Sequence, residues 1–93
     1  MTYDAAPPVA EGPVGDLYFV AYAAIDGAHD VLAHRFRRVP AMVTPKGAPV
    51  TAGIDLGACV WCGRLRAGKW SGLVGAPNDR VLAMAAAWVA KST

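Results

Sequence analysis

The chain has 93 residues, of which 55% are hydrophobic and 17% charged. That fills one domain at most, and it is too apolar and too weakly charged for a disordered segment. No apolar run reaches the roughly 18 residues a membrane span requires. The net charge of +2 hides an asymmetry: positions 35–69 hold seven basic residues against the single acid Asp55. Acids cluster ahead of that stretch, at Asp4, Glu11, Asp16, Asp26 and Asp30.

Residues 1–15 carry Pro7, Pro8, Gly12, Pro13 and Gly15 with little apolar periodicity, which predicts a flexible tail. The first four, Met1-Thr2-Tyr3-Asp4, offer neither the basic nor the apolar region of a signal peptide, so the expected location is cytoplasmic. The weight of Ala, Gly, Val and Arg matches a GC-rich bacterial or phage genome. Residues 16–93 are expected to form a single small domain.

From Asp16 the pattern changes. At 3.6 residues per turn, Leu17, Val20, Ala21, Ala24, Ile25, Ala28, Val31, Leu32 and Phe36 fall on one stripe. Asp16 suits an N-cap, Arg35, Arg37 and Arg38 suit the C-terminal end, and Pro40 restricts the residue before it. The spacing predicts an amphipathic helix. The competing reading is a hairpin turning at Asp26-Gly27, a strong turn pair between two arms rich in Tyr, Phe and Val. The alanines before Gly27 and the poor alternation after it favour the helix.

Positions 39–57 hold Pro40, Pro45, Gly47, Pro49, Gly53 and Gly57 and read as a loop, with a short strand near 50–54. Positions 58–75 read as a β segment with a small hairpin tipped at Ala67-Gly68. Asn78 or Asp79 caps a last helix that runs to about Lys91. Val81, Met84, Ala85 and Trp88 form its core stripe, while Ala83, Ala86, Ala87 and Ala90 leave a smooth side that suits a second helix, in this chain or another copy. The expected fold class is α+β: an N-terminal helix, a zinc-knuckle β-hairpin segment and a C-terminal helix.

The chemistry centres on Cys59-Val60-Trp61-Cys62-Gly63, which holds the only two cysteines. Two thiols at this spacing grip one metal ion, and a following glycine would let the backbone turn behind them. Structural zinc takes four N or S ligands, and the chain offers four in all: Cys59, Cys62, His29 and His34. On a regular helix, residues five apart are rotated by about 140°. His29 and His34 therefore share a metal only where the helix ends or distorts. His34 lies nearer the end and is the stronger candidate, and Asp30 is an oxygen substitute for His29.

A redox use of the pair needs its first thiol at a helix N-terminus, and no helix is predicted there. No phosphate loop, nucleophile elbow or catalytic constellation is present, so a closed structural site is expected and not an enzyme. Beside the cysteines, Trp61, Arg64, Arg66, Lys69 and Trp70 are the candidate partner-binding residues. The expected function is a small zinc-stabilised binding module, an interaction or regulatory protein docking a protein partner. The alternative is nucleic-acid binding through the basic stretch 35–69. A thiol oxidoreductase is the second alternative.

Overall fold

A computed structural model describes residues 7–93. The chain folds as a five-stranded antiparallel sheet with one C-terminal helix, a small α+β domain. In chain order the strands are β1 (Ala10–Val14), β2 (Leu17–Ala23), β3 (His29–Val39), β4 (Met42–Val43), β5 (Pro49–Val50), β6 (Gly53–Arg66) and β7 (Lys69–Val74). The helix α1 spans Asp79–Ser92. Sheet order is β1-β2-β3-β6-β7, and β4 pairs only with β5.

The expected N-terminal amphipathic helix is absent, and residues 17–36 lie in the hairpin of β2 and β3. The turn carries the reason. Asp26 and Gly27 adopt φ of 64° and 76°, a left-handed pair that a helix cannot contain. Ala24 N–H donates to Ala28 O across the loop at 2.9 Å. Strand alternation was masked because both faces of β2 are apolar and covered. Phe19 and Ala21 are buried on one face and Val20 on the other.

The stretch expected as a tail holds β1, which pairs with β2 from Ala10–Ala21 to Val14–Leu17. Pro13 is tolerated there because β1 is an edge strand whose outer side needs no donor. The rest of the expected tail, residues 1–6, lies outside the described residues.

Other expectations hold. The β6–β7 hairpin turns at Ala67 and Gly68, with φ of 50° and 75°, the two positive values a tight two-residue turn demands. Asn78 caps α1, its Oδ1 accepting from Val81 N–H at 2.8 Å.

The core lies between α1 and one face of the sheet. Alternation sends Phe19, Ala21, Val31, Ala33, Trp61 and Leu65 toward the helix, where they meet Ala85 and Val89. Four rings run through it edge to face: Trp88 on Phe19 at 5.6 Å, Phe19 on Trp61 at 5.7 Å, and Trp61 on Trp70 at 5.6 Å between centroids. Of the helix stripe, Ala85 is buried, Val81 and Trp88 pack against the core, and Met84 is partly exposed. None of the helices is long and apolar enough to cross a membrane among the described residues.

β3 and β6 outrun their neighbours. A 14-residue strand such as β6 extends about 46 Å at 3.3 Å per residue, close to the molecule's longest dimension of 51 Å. Their distal halves form a two-stranded ribbon that ends in the short β4–β5 hairpin.

Candidate functional site

The register between β3 and β6 slips twice, between Ala33 and His34 and again between His34 and Phe36. Ala33 opposes Trp61 and His34 opposes Cys59, so Val60 is the residue left over. Phe36 then opposes Leu56, which places the second extra residue at Gly57 or Ala58. Both slips are β-bulges on β6.

The first bulge decides where the thiols point. Residues three apart in a regular strand face opposite sides of the sheet. The extra residue at Val60 cancels that. Cys62 opposes Leu32, and Cys59 opposes His34, two residues further along the same face of β3. Cys59 and Cys62 therefore share the face away from α1. Cys59 is exposed and Cys62 half-buried, and both are free thiols. The Cys59 Sγ–H donates to Trp61 O at 3.3 Å. The Cys59 thiol is held above its ordinary pKa, first by desolvation and then by the neighbouring Cys62 sulfur. Two thiolates side by side would repel, and a cation between them would relieve that.

His34 is the cross-strand neighbour of Cys59. Its Nδ1 lies 3.2 Å from Gly57 O. A carbonyl only accepts, so Nδ1 carries the proton, and a neutral ring then presents the lone pair of Nε2. A backbone carbonyl orients metal-binding imidazoles in the same way. His29 opposes Leu65 and Ala23 and sits on the helix side of the sheet. The odd spacing of the two histidines on one strand separates them. Asp30 donates nothing to this group: its carboxylate accepts from Arg64 Nε at 2.8 Å and from Arg64 Nη2 at 3.2 Å. That fork holds the Asp30 carboxyl below its usual pKa, chiefly through the hydrogen bond. The structure thus groups Cys59 and Cys62 with His34 adjacent, places His29 on the other face, and leaves Asp30 on the same face but engaged by Arg64. Among the described residues no three His, Cys, Asp or Glu side chains converge on one point.

Gly63 does not act as a turn residue. It lies within β6, and its backbone is not in the left-handed region. It is glycine for packing: a Cβ there would meet Leu73 Cδ2 at 2.5 Å and Trp70 Cε3 at 3.3 Å.

The five candidate partner-binding residues are split by the pleat. Trp61 is only 4% exposed and is a core residue, and Trp70 is half-buried against it. Arg64 opposes Asp30 on the other face and is bound to it. Arg66 and Lys69 are exposed beside the hairpin tip. The aromatic and basic members do not form one surface.

Among the described residues the exposed apolar side chains divide between the body, at Val9, Ile25, Leu73, Val74 and Met84, and the ribbon. Met42, Val43, Val50, Ile54 and Leu56 are exposed on the ribbon and its terminal hairpin, Val43 most of all at 69%. On the open face, Ile54 and Leu56 join Pro8, Glu11, Tyr18, Val20 and Tyr22 around a shallow concavity of about 280 Å³. Tyr18 donates to Glu11 Oε1 at 3.0 Å, and its ring meets Phe36 edge to face at 5.9 Å. Arg38 stacks over Phe36 at 5.8 Å. Arg37 pairs with Asp55 at 3.0 Å, an exposed pair of little energetic weight. Arg35, Arg38, Lys46, Arg66 and Lys69 make no ion pair among the described residues.

Sequence reasoning missed the ribbon. Its signal was the run of β-branched and hydrophobic residues flanking the proline-rich loop, which proline and glycine counts obscured. No family model, no curated protein and no solved structure matches the chain.

Proposed function

We propose that this chain is a small binding module that docks a protein partner along the β3–β6 ribbon, with Cys59 and Cys62 as a zinc grip at the ribbon's root. The observation that carries this reading is that Met42, Val43, Val50, Ile54 and Leu56 are all exposed on the ribbon and its terminal hairpin, a stretch that also bears the exposed Arg35, Arg38 and Lys46. An apolar centre with a basic rim is the composition of a protein interface. A solvated ribbon gains nothing from five exposed aliphatic and thioether side chains, and a docked one buries them at about 25 cal/mol per Å². No constellation of acid, base and nucleophile supports an enzyme. The raised pKa of Cys59 runs against thiol–disulfide exchange, which favours a depressed one.

The test compares affinity isolation on the wild-type chain, Leu56→Glu, Val43→Glu and the helix control Ala90→Glu, followed by reconstitution with the purified partner. A partner lost from both ribbon variants and kept by the control supports the reading. Equal retention on all four chains sinks it.

Nucleic acid is the second reading, favoured by the five cations without an ion pair. A two-stranded ribbon is narrow enough for a major groove, and phosphate contacts give affinity that falls steeply with salt. Fluorescence anisotropy with duplex DNA and with RNA across a salt series decides this. Binding that is absent at low salt removes the reading.

A further inference from the structure

We infer that the zinc is shared: Cys59 and Cys62 of one chain and the same pair of a second copy complete a four-thiolate site on a two-fold axis. This inference rests on the zinc grip proposed above and specifies how its coordination is filled.

Closed zinc sites are tetrahedral with four N or S ligands. One chain supplies two sulfurs on one face, side by side, because the Val60 bulge brings them there. It cannot supply the other two in the same place. His29 is on the opposite face of the sheet, Asp30 is held by Arg64, and no third ligand converges among the described residues. The chain holds no further cysteine or histidine beyond His34. His34 stands beside Cys59, yet it does not converge on one point with the two sulfurs. A half-filled site of two thiols is completed most simply by its own duplicate, since a two-fold interface places the same patch against itself.

The surroundings permit that approach. Cys59 is exposed, so a second copy can reach it. The nearest charged side chains on the face, Asp30 and Arg64, neutralise each other, so two copies would not meet like charge with like. Leu32 and Tyr18 around the thiols are only half-buried and would be covered on pairing. Zinc displaces the four thiol protons to solvent, and the ion offsets half of the four thiolate charges. No electron is transferred.

The experiment titrates reduced full-length chain with zinc and reads native mass spectra and light scattering after size exclusion. The expected result is a dimer with one zinc per two chains, returning to monomer with chelator. Cobalt in place of zinc should give the absorption of a tetrahedral all-thiolate site. Cys59→Ser and Cys62→Ser should abolish metal-dependent pairing while far-UV circular dichroism stays native, and His34→Gln should leave the pairing intact. One zinc per monomer, lost in His34→Gln, would overturn the shared site while leaving the zinc grip in place. No zinc uptake at all overturns both. A dimer that chelator does not dissociate also overturns the inference.

Discussion

Gly75 and Val60 meet where no side chain fits between them: a Cβ on Gly75 would lie 2.6 Å from the Val60 carbonyl oxygen and 2.8 Å from Trp61 Cβ. Gly75 also has φ of 97°, a conformation side chains resist. The obstacle is backbone, so it cannot swing aside. Left-handed strain of about 1–2 kcal/mol and overpacking of about 1–3 kcal/mol put Gly75→Ala at roughly 2–5 kcal/mol of lost stability. At Gly63 the obstacle is the tip of Leu73, which is 41% exposed and free to move outward. Gly63→Ala should therefore cost less than about 1.5 kcal/mol. Urea denaturation of both variants checks the ordering, and equal losses would refute it.

The Asp30–Arg64 fork predicts a pH signature. Its side chains are 42% and 53% exposed, so solvent screening keeps the pair's contribution small. Asp30 has its pKa lowered by folding, so its contribution is complete above the unfolded value, near 3.9, and is lost as pH falls through the folded value. The stability gap between wild type and Asp30→Asn should be full at neutral pH and close only as pH falls below the ordinary carboxylate range. A gap that persisted there would contradict the ionic origin.

Trp61 carries an indole Nε1 that is buried with no hydrogen-bond partner among the described residues. An orphan donor of this kind costs about 1–3 kcal/mol. Trp61→Phe removes it along with part of the ring, so the two effects offset, and the net change should stay within about 1.5 kcal/mol. Trp61→Ala loses the whole aromatic contact and should cost about 3–5 kcal/mol. Thermal unfolding of the two variants measures the difference, and a Phe variant as unstable as the Ala variant would show that Nε1 is satisfied.

In the metal-free chain Cys59 should alkylate slowly at neutral pH despite its exposure, because its thiol is held protonated by desolvation and by Cys62. The rate with iodoacetamide should be several-fold below that of an unstructured cysteine peptide and rise as pH climbs past the ordinary thiol range. A rate at pH 7 equal to or above the peptide's would overturn the assignment.

What the amino-acid order reveals here depends on how local the cause is. The Ala67-Gly68 tip and the Asn78 cap are written in adjacent residues, and both are found. The hairpin at Asp26-Gly27 was also written locally. Its strands were hidden because Val20 is buried on one face and Phe19 and Ala21 on the other, which erases alternation and leaves alanines to suggest a helix. For the site, the nearness of Cys59 and Cys62 was legible from spacing. The separation of His29 from His34 was legible on either reading, since residues five apart diverge by about 140° on a helix and face opposite sides of a strand. The bulge at Val60 had no local signal, since register belongs to a pair of strands. Trp61 and Trp70 read as a surface because composition cannot say which face the pleat gives them.

The two bulges of β6 act together as a parity switch. On the root side odd-numbered Trp61, Gly63 and Leu65 face the helix, and on the far side even-numbered Ile54 and Leu56 take the open face, in the same phase. Only the short window between the bulges, with Cys59 in it, is inverted. Deleting Val60 would leave Trp61 opposite Ala33 and Cys59 opposite His34, so every residue of β6 would keep its present face. Forcing Val60 into regular alternation instead would turn Cys59 to the helix side, so the bulge is what holds both thiols on one face.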